Sequence, residues 1–526
     1  MIEATRPSLI ASDVDVDPVV DVIVIGAGAT GENVADRVVQ GGLTATIVER
    51  ELVGGECTYW ACVPTKALLR DAAALRAARA LPAAGKAASG ILDPATVFAR
   101  RNRFAEHWHD SGQVGWLRSA GITLVRGQGR ITGPRTVTVT DTGDGTTTTL
   151  RARHAVVIAT GSSAHMPPIA GLADVQPWTN REAVATNKVP DRLAIIGGGA
   201  VGAEMATAFN AFGSQVSLIS RTRLLPRAEP FASEHVTEEL QSAGVALHLN
   251  VDAIEARRTV SGTLEITLSD GSTVAADDVL VATGRTANTK DIGLDRIGLE
   301  PGSWLTVDDT LAVLDRNGKP IGDDTAADPG KAWLFAAGDV NHRAPLTHHG
   351  KYQARALGDA IAARATGAEL GLDPWGRHAV TADELALTQV IFTAPEVATV
   401  GFTAQDAAAA GRDTRVVDYD LGKVVGAALH ADQYRGRARM VIDADRNIVI
   451  GFTAVGLDVA ELLHAATIAI AGEVPLDRLW HAVPAYPTIN EVWLRLLETD
   501  GRDHAPATRD RTLVATADSA TDEAVA

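Results

Sequence analysis

Twice in this chain an apolar run ends in a Gly-x-Gly-x-x-Gly turn and passes into a helical pattern. The first run, Val19-Val20-Asp21-Val22-Ile23-Val24-Ile25, is of the continuous kind that parallel sheets bury, and it leads into Gly26-Ala27-Gly28-Ala29-Thr30-Gly31. A helix over 32–40 and a strand over 45–48 follow, ending at Glu49. The second unit places Arg192-Leu193-Ala194-Ile195-Ile196 before Gly197-Gly198-Gly199-Ala200-Val201-Gly202, then a helix through Phe212 and a strand over 215–219. Each is the pattern of a dinucleotide-binding unit. The first glycine makes the tight turn, the second lets backbone approach a pyrophosphate, and the third lets helix pack on strand. The pyrophosphate sits on the helix N-terminus, and Glu49, eighteen residues past Gly31, is placed to accept from a ribose hydroxyl. Glycine turns without a ligand are the bland alternative. Two such turns, each between strand and helix, favour two bound dinucleotides.

An acidic residue is missing where the second unit should end. Ser220 stands there, followed by Arg221, Thr222 and Arg223. A carboxylate at that place favours a free ribose 2′-hydroxyl, whereas arginines favour a 2′-phosphate or are simply solvated surface charges.

The only two cysteines stand five positions apart in Gly54-Gly55-Glu56-Cys57-Thr58-Tyr59-Trp60-Ala61-Cys62-Val63-Pro64-Thr65-Lys66. On a regular helix that spacing separates them by about 140° around the axis and about 7.5 Å along it. Bonding them therefore requires an irregular turn between, with a helix starting only near Pro64. A cysteine at a helix N-terminus has its thiolate favoured, which suits redox chemistry.

A net charge of −17 argues against nucleic acid as a partner, and no run of eighteen apolar residues indicates a membrane span. Residues 1–18 read as a disordered leader without a basic-plus-apolar signal, and 501–526 as a disordered tail. Two cysteines and no signal peptide point to the cytoplasm, where a disulfide is usually catalytic. Helical stretches are expected over 71–88 and 95–120, strands over 122–125, around 136–139 and at 156–159, and a polar linker over 366–381. His348-His349 has no third ligand near it in sequence, so no metal site is expected.

The cysteine segment resembles the active site of the pyridine nucleotide-disulfide oxidoreductases, flavoproteins that include glutathione reductase, dihydrolipoamide dehydrogenase and mercuric reductase. Every fixed position of their Gly-Gly-x-Cys-x-x-x-x-Cys-x-Pro-[Ser/Thr]-Lys pattern is present, and the similarity runs from about Val19 to about Leu497. The resemblance implies a glutathione-reductase-like α/β fold of two Rossmann-like dinucleotide-binding domains plus an α+β C-terminal dimerisation domain. The implied boundaries are an FAD-binding first part at 19–188, an NAD(P)-binding domain at 189–284, a central FAD-binding second part at 285–375 and a dimerisation domain at 382–500. FAD belongs on Gly26, Gly28, Gly31 and Glu49, with Gly129, Thr160, Gly161 and Asp339 also near it. NADPH, with NADH possible, belongs on Gly197, Gly199, Gly202, Ser220, Arg221, Arg223 and Gly284.

By the same resemblance Cys57 and Cys62 form a redox disulfide, with Cys62 facing the flavin and Cys57 exchanging with substrate. Lys66 stands near the flavin and pairs with Glu204. A homodimer is implied, each active site being completed by the partner's C-terminal motif. That motif departs from the family pattern. Where His-Pro-Thr-x-x-Glu is usual, this chain has Tyr486-Pro487-Thr488-Ile489-Asn490-Glu491, so a phenol replaces the acid–base histidine. His481, five residues earlier, is a substitute candidate. Two functional readings stay open: reduction of a low-mass disulfide or thiol-reactive acceptor, or direct flavin-to-acceptor transfer as a transhydrogenase or quinone reductase, with mercuric-reductase-like metal reduction a further variant.

Overall fold

The computed structural model describes residues 18–322 and 332–502. The expected leader and tail lie almost wholly outside the described residues. Three larger sheets organise the chain. The first has seven strands and runs Thr123–Arg126, Ala45–Glu49, Val19–Ile25, Thr147–Ile158, Thr136–Thr140, Gln128–Gly133, with Leu334–Ala336 added beside Thr147–Ile158. Val19–Ile25 pairs in parallel with strands on both sides, which explains its unbroken apolar run: Val22, Ile23 and Val24 are fully buried. The second sheet is parallel and four-stranded, ordered Ala246–Leu249, Gln215–Ser220, Arg192–Ile196, Asp278–Val281. A two-stranded antiparallel ribbon, Ser162–Ala164 with Arg285–Ala287, carries the chain out to this unit and back. The third sheet is antiparallel and five-stranded, from Thr388–Ile391 to Ile448–Gly456, and buries its own core around Phe452, Met440 and Val459.

Three expectations need correcting. The helical pattern over 95–120 is broken into Pro94–Phe104, a single tight turn at Glu106–Trp108 and Ser111–Ser119. The break has a tertiary cause: Asp110 Oδ2 leaves the helix register to accept from Val53 N at 2.8 Å and to pair with Arg126 at 2.5 Å. The stretch 71–88 is the end of a longer helix, Cys62–Arg79, plus Pro82–Ala87, restarted by proline at its first position. The linker also begins later than expected, because the Thr347–Thr366 helix runs on to its Gly367 cap. Gln128–Gly133, with two glycines and no apolar alternation, was not legible as a strand and exists through its pairing with Thr136–Thr140.

No described helix is long and apolar enough to cross a membrane.

Candidate active site

The cysteine segment folds as two helices separated by a two-residue break. Gly54 and Gly55 take φ of +114° and +59°, a region that disfavours side chains, and start the short helix Gly55–Tyr59. Trp60 and Ala61 are non-helical, and Cys62 opens the Cys62–Arg79 helix. The helix therefore starts at Cys62, two residues before Pro64, and the irregular turn is confined to Trp60 and Ala61. That break cancels the angular offset of a continuous helix, so the two free thiols come within hydrogen-bond reach of each other.

Their environments diverge. The Cys62 thiol is lowered to about 6, first by the hydrogen bond from Cys57, against burial, and then by Thr347 and the Lys66 charge. Thr347 Oγ1 lies 3.2 Å from its sulfur. Cys57 is pushed up, by donating to Cys62, by burial and by the negative charge it faces. The reduced pair thus holds one thiolate, on Cys62, solvated by the neutral Cys57 thiol. One helical turn beyond, Lys66 Nζ lies 2.8 and 3.0 Å from the two carboxylate oxygens of buried Glu204. Glu204 Oε1 also accepts from Phe392 N at 2.9 Å, and the Lys66 ammonium lies 4.9 Å from the centre of the Phe392 ring. One carboxylate so ties the cysteine helix, the second dinucleotide unit and the start of the C-terminal sheet.

Cys57 and Thr347 line a solvent-open cleft whose walls also include Gly26, Gly28, Glu49, Gly129, Thr160, Gly161 and Asp339. The first glycine unit fits an FAD diphosphate and ribose. A Cβ on Gly26 would meet Ala159 O at 2.5 Å, one on Gly31 would meet Gly26 O at 1.9 Å, and the space over Gly28 is open. Thr160 Oγ1 is buried with no partner on the protein. Glu49 accepts from Ala27 N and Glu51 N, both at 2.7 Å, which fixes its carboxylate although burial pushes its pKa up. Asp339 Oδ2 accepts from Ser162 Oγ at 2.6 Å, and Ser162 in turn accepts from Arg285 Nε at 2.5 Å. When bound, FAD would supply two-electron chemistry between a nicotinamide and a dithiol.

Several wall residues escaped sequence reasoning. Arg181 lies 4.1 Å from the Trp60 ring centre, is bidentate to Glu51 at 2.9 and 3.1 Å, and pairs with Glu56 at 2.5 Å. Asn180 bridges Glu56 and the Trp60 carbonyl at 3.0 and 2.9 Å. Trp60 is thereby clamped beside Cys57. No local motif announces Arg181 or Thr347, whereas Arg285 directly follows Gly284 and had a readable signal.

In the second unit, Gly197 at φ +124° and Gly202 repeat the close approaches of the first, a Cβ on Gly202 lying 1.9 Å from Gly197 O. The space over Gly199 is open, and Ser220 Oγ closes on Gly198. The two arginines differ. Arg223 Nη2 donates to the carbonyls of Pro226 and Ala228 at 3.0 and 2.8 Å, so it braces its own loop, while Arg221 is exposed. Gly284 leads into the return ribbon and its carbonyl accepts from His165 N at 2.9 Å.

The C-terminal motif is not brought to the cleft within one chain. Tyr486 is 70 % exposed, Val483 85 % and His481 exposed, on the C-terminal unit. Glu491 is buried, pairs with Arg495 at 2.5 Å, and keeps Oε2 without a partner. His348 and His349 serve packing: His349 Nδ1 donates to Asp383 at 2.9 Å and its Nε2 accepts from Thr388 N at 3.0 Å.

Two glycine-turn cradles, with the Cys57 member of the dithiol lining the first cradle's cleft, define a dinucleotide-dependent dithiol oxidoreductase. Residues 20–354 match the family described as pyridine nucleotide-disulphide oxidoreductase and residues 387–496 match its dimerisation domain, and the chain belongs to this family. It is 28% identical over 490 residues to a mercuric reductase of Shigella flexneri, covering 92% of this chain and 81% of the relative. It is 29% identical over 485 residues to a dihydrolipoyl dehydrogenase of Haloferax volcanii, covering 91% and 95%. Among solved structures it resembles LpdA from Mycobacterium tuberculosis, with a TM-score of 0.75, 24% identity and coverage of 91% and 100%. The flavoprotein disulfide reductase RclA of Escherichia coli, solved as a Cu(II) complex, also gives a TM-score of 0.75, at 20% identity with coverage of 91% and 99%. These two likenesses establish the fold, which is glutathione-reductase-like.

Proposed function

We propose that this chain is an NADPH-dependent flavoprotein reductase, acting as a homodimer in the reducing cytoplasm, that uses Cys57 and Cys62 to reduce a low-mass disulfide or similar thiol-reactive acceptor. The observation that carries this reading is the pair of free thiols in mutual contact, polarised so that Cys62 holds the thiolate and Cys57 the proton. The Cys57 sulfur attacks the acceptor disulfide as its proton passes to the departing acceptor sulfur, so a mixed disulfide forms and one acceptor thiol leaves. The Cys62 thiolate then attacks Cys57 Sγ, closing the Cys57–Cys62 disulfide and releasing the second acceptor thiolate. The acceptor gains two electrons and, with two protons, becomes two thiols; the pair is oxidised. Lys66, held by Glu204, supplies positive charge that favours the thiolate at Cys62.

In Cys57→Ser, turnover of disulfides is expected to fall by at least about a hundredfold while NADPH oxidation with a quinone or dye persists, the sulfur nucleophile being replaced by a weak hydroxyl. Undiminished turnover of the wild type's best acceptor in that variant would make the cysteines bystanders. The second reading, direct transfer to a quinone or second nicotinamide, is favoured by Trp60, held by Arg181 in the wall that Cys57 also lines, and by Tyr486 in place of histidine. Relatives named mercuric reductase support a metal ion as a further thiol-reactive acceptor, presented to the same two thiols.

The NADPH preference is supported by Ser220 and by exposed Arg221, with Arg223 engaged elsewhere. Arg221→Asp is expected to lower kcat/KM for NADPH by about tenfold or more and to spare NADH, one charge-assisted phosphate contact being about 1.5–3 kcal/mol. A wild type that prefers NADH sinks this assignment.

A further inference from the structure

Beside the first glycine turn lies a carboxylate that the reading above does not use. Glu32 follows Gly31 in the first turn and a half of the Ala29–Gln40 helix, is 9 % exposed, and keeps Oε1 buried without a hydrogen-bond partner. Its own N–H bonds back to Gly28 O at 3.0 Å, so the helix's free N–H groups are those just before it, at Ala29, Thr30 and Gly31. Gly28, Ala29 and Thr30 line the cleft. An anion held on that helix end stands beside Glu32.

The charged neighbours do not neutralise this carboxylate. Lys351, on the facing Thr347–Thr366 helix, attracts it but forms no ion pair with it. Glu49, at the end of the neighbouring strand, repels it. Tyr59, from the cysteine segment, is buried and held neutral, its hydroxyl donating to Val53 O at 3.0 Å. The Val19–Ile25 strand beneath offers only apolar side chains at its buried end. Toward the far end of the same helix, Arg37 is satisfied by Asp359. Burial, opposed by Lys351 and reinforced by Glu49, raises the Glu32 carboxyl to about 7 before any further negative charge arrives.

We propose that Glu32 is the proton-carrying member of the FAD cradle: it is a neutral carboxylic acid in the complex, so binding of the FAD diphosphate takes up about one proton above neutral pH. Two effects act in the same direction. The diphosphate brings like charge into a region of low dielectric, and Glu32, already buried, has no protein donor on Oε1 to offset it. The sign follows from linkage. A carboxyl whose pKa is higher in the complex than in the free protein binds a proton on complexation, so affinity falls as pH rises between the two values. Protonated Glu32 also gains a donor beside its acceptor capacity.

The inference rests on FAD being held by the first glycine unit, and the test separates the two. FAD dissociation from the full-length enzyme is measured by flavin fluorescence at steps from about pH 6 to about pH 9 in wild type and Glu32→Gln, because a carboxamide keeps the size and donor capacity but cannot titrate. The wild-type Kd should rise by up to about tenfold per pH unit above neutral, while Glu32→Gln stays flat and binds more tightly at the alkaline end. Calorimetry of FAD binding to the wild type in two buffers of different ionisation enthalpy should give close to one proton taken up at about pH 8. A flat wild-type profile, zero proton uptake, or an unchanged slope in Glu32→Gln overturns the proposal and leaves FAD binding standing. Absence of FAD binding at every pH overturns both. If Glu32→Gln fails to fold, the wild-type proton count alone decides.

Discussion

In Cys62→Ser the thiolate signature of the reduced, flavin-loaded enzyme disappears and disulfide turnover falls by at least about a thousandfold, the scale on which losing an essential nucleophile acts. The wild type should show a long-wavelength band after two-electron reduction, arising from a thiolate beside the flavin. Its pH dependence is set by Cys62: ionised above about 6 and protonated below, so the band fades as pH falls through that value. Cys57→Ala separates the causes. It removes the first-ranked hydrogen bond and leaves Thr347 and Lys66, so the midpoint should move upward toward the ordinary cysteine value near about 8.5. Spectra of Cys62→Ser that keep the band would assign the flavin-facing sulfur to Cys57 instead.

Tyr486→His should raise disulfide turnover at neutral pH by about a hundredfold, the lower end of what a positioned general acid–base contributes. Cys57 has its proton held by Cys62 and by burial, and its attack on a disulfide requires a base. A phenol is a poor base at neutral pH. Wild-type disulfide turnover should accordingly climb through the alkaline range, whereas the histidine variant should level off near neutrality. The gain must also appear in trans. Mixed dimers of the wild type with the double variant Cys57→Ser/Tyr486→His should show it, since the wild-type dithiol then meets the partner's histidine. A histidine variant no faster than wild type at pH 7 would mean that Tyr486 does not approach the dithiol.

Where sequence reasoning succeeded, the constraint was local. Val19–Ile25 announces a strand buried on both faces, and Gly31 and Gly202 announce contacts that no Cβ could share with the preceding turn. The Lys66–Glu204 ion pair is a different case: it joins positions far apart in the chain, and family likeness rather than spacing pointed to it. What was illegible is non-local in the same way, without a motif to help. Arg181 reaches Trp60 from another part of the fold, Thr347 meets Cys62 from a helix nearly three hundred positions later, and Asp110 breaks a helix to bind Val53 and Arg126. Glu32 directly follows a recognised motif. Its meaning came only from burial and from an oxygen without a partner.

The placement of Leu334–Ala336 beside Thr147–Ile158 has a consequence for how this protein is made. The first sheet cannot be finished from the first part of the chain. Its last strand follows the whole second dinucleotide unit, which leaves and returns through the Ser162–Ala164 and Arg285–Ala287 ribbon. At about 5–20 residues per second, a ribosome needs roughly nine to thirty-six seconds to deliver that strand after Ile158 has been made. Throughout that interval the Val156–Ile158 edge lacks its neighbour, while the intervening unit has all four of its parallel strands once Val281 is made. The inserted unit can therefore mature first, and the nascent cradle is the part that needs shielding from stray strand pairing.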